Sequence, residues 1–279
     1  MKKFLFVCML ICSCTDYDTE TWNSDSLTVE GQIETDKFAV IRLTNSLPFK
    51  GIIDSMEVAK SMETKAKVEL FDGEHTEILT LKRDDSSFPF LYYRSNIIKG
   101  EIGKEYQLSI SIRGKEFLSK TTVPEKANVL DIGFSEWTED GIVFPDFKDI
   151  KIIIDNKTLK NKYFKILIKN EKENKFEFAR PFIFNTENIY TENFPVVVSY
   201  VKFDDDGKKE NQLRVGEIIE LKIVAITKAQ FDFWKSVKGD ATSLLEGASL
   251  ANQVPTNISN GAFGYWSGEN AVSYRVQIP

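Results

Sequence analysis

The sequence predicts a mostly β protein with two β-sandwich-like domains, and three observations support this fold class. Apolar and polar residues alternate along many segments, most clearly at Tyr106, Leu108, Ile110 and Ile112. Dipeptides typical of tight turns, such as Asp72-Gly73, separate several of these segments. Helical patterns do not alternate with the strand patterns, which disfavours a parallel α/β sheet. A period of two with one apolar face is typical of two sheets that pack together.

Composition places the chain among ordinary globular proteins. It has 279 residues, of which 42% are hydrophobic and 28% are charged, and this length suits one large or two medium domains. The formal net charge is −6 and no strongly basic block occurs, so nucleic acid is not an expected partner. The single histidine, His75, argues against a His-rich zinc site, and any histidine-dependent nucleophilic site would have to use it.

Residues 1–13 are predicted to be a lipoprotein signal peptide. Two lysines form a positive start, and the apolar run at residues 4–11 is far shorter than the ~20 residues that a membrane-spanning helix needs. The following Ile-Cys-Ser-Cys resembles a bacterial lipobox, in which a small residue precedes the cysteine that receives the lipid. We therefore expect cleavage after Ser13 and a lipid anchor on Cys14. The alternative is an ordinary secretory peptide whose cysteines are chance.

Residues 14–25 form an acidic, aperiodic stretch that we interpret as a flexible tether. Acidic residues directly after the lipid-bearing cysteine resemble the surface-export signal of Bacteroidota lipoproteins, whereas a plain solvated spacer would have the same composition. The choice decides which side of the outer membrane the body faces. We expect an outer-membrane lipoprotein, with the cell surface somewhat favoured over the periplasmic face.

Residues 26–125 carry the strand patterns of the first predicted domain. The alternation starts at Leu27, and later strands turn at Asp72-Gly73 and at Arg113-Gly114. Pro124 ends the last of these patterns, and a short boundary follows.

Residues 129–279 form the second predicted domain, which is larger, rich in strands and has one helix near residues 228–238. Thr227 and Gln230 have the spacing of a capping box at the start of that helix. The helix carries an apolar stripe formed by Phe233, Trp234 and Val237. We expect the stripe to dock on the sandwich, with a ligand platform as the alternative. A nearby strand pattern is expected to place four phenylalanines on one face: Phe176, Phe178, Phe182 and Phe184.

Residues that could carry chemistry are scarce. Residues 204–206 are three aspartates before Gly207, but Lys202 occupies a ligand position of a calcium loop, so we interpret the segment as a hairpin turn. Among 42 acidic residues, no pair is marked as the two carboxylates of a glycosidase. His75 is interpreted as an exposed loop residue. The sequence therefore predicts no enzyme activity, no metal and no cofactor.

Aromatic residues in irregular segments are the candidate contact residues. Phe263, Tyr265 and Trp266 lie in a glycine-rich segment, and Phe49 lies in the irregular stretch at residues 45–61. Because Tyr265 and Trp266 are adjacent, their rings should face opposite sides of a strand, which would leave one free to stack on a sugar or peptide. The alternative is that both rings fill gaps between the sheet and the helix.

Four features follow one another along the chain. They are the lipobox with its acidic tether and first strand at residues 27–31, a G-x-x-G-x-x-Y-x-L step at 100–108, a strand-to-helix passage at 226–234, and P-x-N-I with G-x-x-G-Y at 255–265. In this order they resemble the Bacteroidota lipoprotein family known as domain of unknown function 4249. One departure is Ser259-Asn260-Gly261, where a Gly-Gly pair is more usual in the family.

The resemblance implies an N-terminal sandwich similar to transthyretin-like or carboxypeptidase-regulatory domains, followed by a larger C-terminal β domain. It also implies an outer-membrane lipoprotein, often encoded beside a TonB-dependent transporter, and it brings no catalytic residues. We therefore expect a non-enzymatic accessory of such a transporter that captures a small nutrient, glycan or peptide or contacts the transporter. A structural or adhesive surface module is the alternative, and a hydrolase is the third candidate.

Overall fold

The computed structural model describes residues 26–45, 59–85, 89–158, 160–173, 175–203, 209–211, 213–239 and 254–279. Cys14, Phe49, the predicted signal peptide and tether, and residues 204–206 lie outside them. The strands are β1 (Leu27–Glu34), β2 (Phe38–Asn45), β3 (Lys67–Phe71), β4 (Thr76–Ile78), β5 (Thr80–Arg83), β6 (Leu91–Lys99), β7 (Glu105–Ile112), β8 (Lys115–Thr122), β9 (Val129–Glu139), β10 (Ile142–Asp155), β11 (Tyr163–Asn170), β12 (Glu177–Asn185), β13 (Asn193–Val198), β14 (Val201–Phe203), β15 (Lys209–Asn211), β16 (Ile218–Ile226) and β17 (Phe263–Gln277). Helix α1 spans Lys228–Gly239. The predicted mostly β fold class is confirmed.

One eight-stranded sheet extends through both halves of the fold, in the order β12-β11-β16-β17-β1-β2-β6-β5. Its strand β17 pairs in two ways. Residues 263–269 run parallel to β1, and residues 270–277 run antiparallel to β16. The predicted boundary between residues 125 and 129 therefore separates most residues of the two cores, but β17 contributes to both halves.

The first sandwich lies around a core that the sequence alternation predicts. Strands β17, β1, β2, β6 and β5 face a second sheet in the order β4-β3-β7-β8. Its core includes Val29, Ile41, Leu70, Leu108, Ile110 and Trp266. Alternate residues of β7 fill this core because a strand presents every second side chain to the same face.

The second sandwich packs β12, β11, β16 and β17 against a sheet in the order β13-β10-β9. Its core includes Ile152, Ile154, Ile166, Ile168, Leu221 and Ile223. A bridge between Arg180 and Ser199 links β12 to the segment that follows β13. Four strands on one side and three on the other thus enclose one apolar layer, as in other two-sheet packings.

The prediction that four phenylalanines of this region share one face is wrong. Phe178 and Phe182 pack on Trp234 of α1, with ring centroids 5.5 and 5.8 Å away. Phe184 instead stacks on Phe164 in the second core, at 4.9 Å. The pairing of β12 with β11 shifts register along the strand. A register irregularity changes which face later side chains occupy, so simple alternation fails here.

Helix α1 begins where the sequence predicts but uses half of the capping box. The Thr227 hydroxyl accepts a hydrogen bond from the N–H of Gln230 at 3.5 Å. The Gln230 side chain is fully buried in a different network, and the N–H of Thr227 lies 3.5 Å from the Ser267 hydroxyl. Ile226 and Phe231 lie in one apolar cluster around this cap, as a hydrophobic staple requires. The helix packs on β17, β11 and β12, which confirms that it docks on the sheet.

None of the helices in the described ranges is long and apolar enough to cross a membrane.

Both predicted turn dipeptides form tight turns. Gly73 has a φ of +100°, and Arg113 and Gly114 have φ values of 48° and 75°. Two consecutive positive φ values are typical of a hairpin turn that matches the twist of its strands. The Asp72 carboxylate holds the β3–β4 turn by accepting the N–H groups of Glu74 and His75 at 3.0 and 2.8 Å.

The charge of Asp72 should stabilise this turn in a pH-dependent way. Burial opposes ionisation, but hydrogen bonds from Lys104 Nζ (2.9 Å) and from the two N–H groups outweigh it and hold the pKa of the carboxyl well below its usual range. The pKa of Asp72 is lower in the folded state than in the unfolded state, where it is near 4, so the charged carboxylate stabilises the fold at pH values above about 4. This stabilisation is lost as the pH falls below about 4 towards the folded-state pKa. We expect Asp72→Asn to lower the free energy of unfolding by about 1 kcal/mol at pH 7 and by less at pH 3. Urea unfolding at both pH values measures the difference, and an equal loss at the two would contradict it.

Candidate functional site

The predicted aromatic segment forms the first half of β17, and its two adjacent rings face opposite sides as expected. Trp266 is fully buried in the first core, and its indole N–H donates to the Tyr106 carbonyl at 3.1 Å. Tyr265 is 2% exposed and packs on Phe233 of α1, with ring centroids 5.1 Å apart. Both rings fill space inside the fold, as the alternative interpretation had it, so neither presents a face to a ligand. Phe263 is half-buried at the start of the strand.

Asn257 of the P-x-N-I motif holds the backbone of Trp266. Its side-chain oxygen accepts the Trp266 N–H at 2.9 Å, and its side-chain N–H₂ donates to the Trp266 carbonyl at 2.8 Å. These two bonds satisfy the N–H and carbonyl groups of Trp266, as a neighbouring strand would do in a β-sheet. The motif thus fixes the position of β17 where it enters the first sandwich.

Ser259 and Asn260 cover the edge of β8. The Ser259 N–H donates to the Leu118 carbonyl at 2.9 Å, and the Ser259 hydroxyl accepts a hydrogen bond from the Leu118 N–H at 2.7 Å. Asn260 has a φ of 56°, and its side chain donates to the Glu116 carbonyl at 2.6 Å. Asparagine tolerates positive φ better than most residues, so it can adopt this conformation without a glycine.

An aromatic cluster joins α1, β12 and β17. It consists of Phe178, Phe182, Phe233, Trp234 and Tyr265. Phe178 is 37% exposed and Val237, in the next turn of α1 after Trp234, is 44% exposed, whereas Tyr265 forms the buried base of the cluster. A partly exposed group of rings on a rigid support can contact an apolar or amphipathic partner surface. This aromatic cluster is the candidate contact site, and the sequence pattern identified its helix residues and Tyr265.

A buried polar network lies beside the aromatic cluster and links the two halves of the eight-stranded sheet. Glu269 is 2% exposed, accepts from Lys165 Nζ at 2.6 Å and accepts from the side-chain amide of Gln230 at 2.8 Å. The Ser267 hydroxyl donates to the Gln230 carbonyl oxygen at 2.8 Å. Glu269 and Ser267 lie on β17, Lys165 on β11 and Gln230 on α1. The network therefore fixes the helix, and with it the aromatic cluster, relative to both strands.

The environment of Tyr265 keeps its hydroxyl protonated. Burial raises the pKa of Tyr265 well above its usual value, and the carboxylates of Glu30 and Glu269 raise it further. A phenol in this state can donate a hydrogen bond but cannot act as a base near neutral pH. Tyr265 is accordingly a supporting residue of the aromatic cluster.

The Lys165–Glu269 pair should be a strong determinant of stability, because removing one partner leaves a buried charge without compensation. We expect Lys165→Met to lower the free energy of unfolding by about 3 kcal/mol. The double variant Lys165→Met with Glu269→Met should regain most of this loss. The Lys172–Glu217 pair, whose lysine side chain is 78% exposed, is the matched control, and Lys172→Met should cost less than about 1 kcal/mol. Chemical denaturation of the four proteins measures these values, and similar losses for Lys165→Met and Lys172→Met would contradict the prediction.

Metal ligands and the one histidine do not converge in the described part of the chain. No group of three or more His, Cys, Asp or Glu residues there could hold a metal ion. The side chain of His75 is 77% exposed, as expected for a loop residue.

Comparison with known proteins identifies the family. Residues 15–275 match the family described as "Domain of unknown function (DUF4249)". The chain belongs to this family. The DUF4249 match includes both sandwiches, α1 and the aromatic cluster, and it confirms the resemblance that the ordered motifs indicated.

Solved structures and curated proteins add little to the DUF4249 assignment. The chain is similar to a structure titled "Crystal structure of bovine butyrophilin" with 10% sequence identity and a TM-score of 0.19, over 91% of this chain and 99% of that chain. Because this score is low, the similarity supports no conclusion about function. A search of curated proteins finds no significant match.

Proposed function

We propose that this DUF4249 protein is a non-enzymatic outer-membrane lipoprotein that assists a TonB-dependent transporter, by capturing its substrate or by contacting it. The observation that carries the proposal is the lipobox at the start of the chain, which would anchor the body through Cys14. The family match begins at residue 15, directly after that cysteine. Residues 15–275, which would lie outside the membrane after lipidation, therefore belong to one family.

The aromatic cluster is the surface we propose for contact with the partner. Phe178 lies on β12 and Trp234 on α1, and the Glu269 network holds α1 on β17 and on β11, the strand that pairs with β12. A contact surface gains affinity when its side chains are ordered before binding, because less conformational entropy is then lost. The aromatic cluster has this property.

Cross-linking in intact cells followed by purification of a C-terminally tagged full chain tests the proposal. We expect wild-type protein to carry a thioether lipid on Cys14 and to recover a TonB-dependent transporter. Cys14→Ala should lose both the lipid and the transporter. Cys12→Ala is the matched control, since Cys12 would leave with the signal peptide, and it should behave as wild type.

Two results would overturn parts of the proposal separately. An unmodified Cys14 in the wild-type protein would remove the anchor and the localisation. A lipidated protein that recovers only copies of itself would remove the transporter and favour the structural or adhesive module. Protease treatment of intact cells should digest the body if it faces the cell surface, and full protection would place it on the periplasmic face.

A further inference from the structure

The outer face of β2, β6 and β5 carries a group of cations that we call the basic face. It consists of Arg42, Lys82, Arg94 and Lys99. Helix α1 packs on the other end of the same sheet, on β17, β11 and β12. The basic face is notable because the whole protein has a net charge of −6. A local excess of positive charge attracts anions.

The strand register places these cations side by side. Val40 pairs with Arg94 and Ile41 pairs with the core residue Tyr93. Since alternate residues share a face, Arg42 and Arg94 lie on the outer face as diagonal neighbours. Lys82 is in register with Tyr92 on the next strand, on the same side.

Aromatic rings hold three of the cations. Arg94 Cζ lies 4.6 Å from the centre of the Phe38 ring, and Lys99 Nζ lies 5.0 Å from the same centre. Arg42 Cζ lies 5.9 Å from the centre of the Tyr92 ring. A guanidinium that stacks on a ring is ordered without using its N–H donors, so those donors remain available for an anion.

Apart from these ring contacts, the cations of the basic face have no polar partner among the described residues. None of the four forms an ion pair or a side-chain hydrogen bond with a described residue. The Nε atom of Arg42 is buried and has no hydrogen-bond partner. A buried donor without an acceptor is costly, and an anionic oxygen bound at this face would satisfy it. Glu30 is in register with Arg42, yet no ion pair joins these two side chains.

We propose that the basic face binds an acidic oligosaccharide, one whose sugars carry carboxylates. Adjacent strands are about 4.8 Å apart, so cations on three neighbouring strands span roughly 10 Å and can meet successive carboxylates. Thr28, Gln32 and Thr44 lie on the same side of β1 and β2 and offer hydroxyl and amide groups to sugar hydroxyls. This mixture of cations and uncharged polar groups suits a sugar better than the apolar side chains of a peptide or a lipid surface. The basic face does not require the proposed transporter, so the two proposals can fail independently.

Calorimetric titration of the full chain in a neutral detergent tests the basic face, with tetragalacturonate as the probe. We expect saturable binding that weakens in 0.5 M salt, and no binding of neutral maltotetraose. Arg42→Gln and Arg94→Gln should each weaken binding about tenfold, the effect of one charge-assisted hydrogen bond. Arg275→Gln, whose arginine pairs with Glu171 on the second sandwich, is the matched control and should bind as wild type.

Glu30→Gln supplies a test that does not depend on losing function. It removes the carboxylate that is in register with Arg42 and should strengthen binding about twofold to threefold. Absence of binding by the wild type, or unchanged binding by the variant with both Arg42→Gln and Arg94→Gln, would overturn the proposal. Tighter binding of tetraglutamate, or of vesicles that contain phosphatidylglycerol, would also overturn the sugar and assign the basic face to an acidic peptide or a membrane surface.

Discussion

Replacing Trp266 with alanine is expected to lower the free energy of unfolding by about 4 kcal/mol. The indole is fully buried in the first core, and its N–H donates to the Tyr106 carbonyl on the opposite sheet. It also lies against the backbone of β1, because a Cβ atom on Gly31 would come within 2.8 Å of the Trp266 ring. Alanine would therefore leave a large cavity between the two sheets and would remove the hydrogen bond to the Tyr106 carbonyl. Thermal and urea unfolding measure the loss.

Two further variants separate the contribution of the Trp266 ring volume from that of its hydrogen bond, and the effect of a buried ring from that of an exposed one. Trp266→Phe keeps most of the ring volume and should lose about 1–2 kcal/mol. Tyr190→Ala removes an aromatic ring that is 81% exposed and should change stability by less than about 0.5 kcal/mol. A Trp266→Ala protein with wild-type stability would contradict its core role and restore it as a contact residue.

Local patterns in the sequence predict most of the fold. The alternation along β7 predicts which residues face the core, and the Asp72-Gly73 and Arg113-Gly114 turns follow from the need for positive φ. The opposite orientation of Tyr265 and Trp266 follows from their adjacency in a strand. These features depend on neighbouring residues, so a single sequence contains the information.

Long-range pairing could not be read from the sequence. The parallel pairing of β1 with β17 joins Thr28 to Phe263, and no local pattern marks a partner so distant along the chain. Gln230 has the spacing of a capping-box residue, but its side chain serves the Glu269 network because that buried carboxylate needs a second donor. Glu269 itself looks like a surface residue until its partner strand is known.

In the candidate site, too, local patterns identify some residues and long-range pairing brings in the others. The helical stripe identifies Phe233 and Trp234, since a period near 3.6 marks the docking face. Phe178 and Phe182 join them because of a register shift in β12, at a stretch that contains Pro181, which cannot donate to a strand ladder. The basic face was missed because Arg42 and Arg94 are separated in sequence and meet only through the β2–β6 pairing.

Replacing Gly264 with alanine should be the most damaging single change in the described part of the chain, with a loss of roughly 5 kcal/mol or more. Gly264 has a φ of +98°, and a Cβ atom there would lie 1.9 Å from the Val29 carbonyl oxygen. The contacted atom belongs to the backbone of β1, so no side-chain rotation can relieve the overlap. Val29 and Gly264 are register partners, and the alanine would force β1 and β17 apart.

Gly103→Ala isolates the effect of this close approach. Gly103 also has a positive φ, +78°, but nothing lies within 4 Å of an added Cβ atom. Its substitution should therefore cost only the backbone strain, about 1–2 kcal/mol. Because β17 is shared by both sandwiches, Gly264→Ala should destabilise them together, and fluorescence and circular dichroism should report one transition at a lower urea concentration. Equal losses for the two glycines would show that the β1–β17 contact does not control stability, and two separate transitions would show that the sandwiches fold without their shared strand.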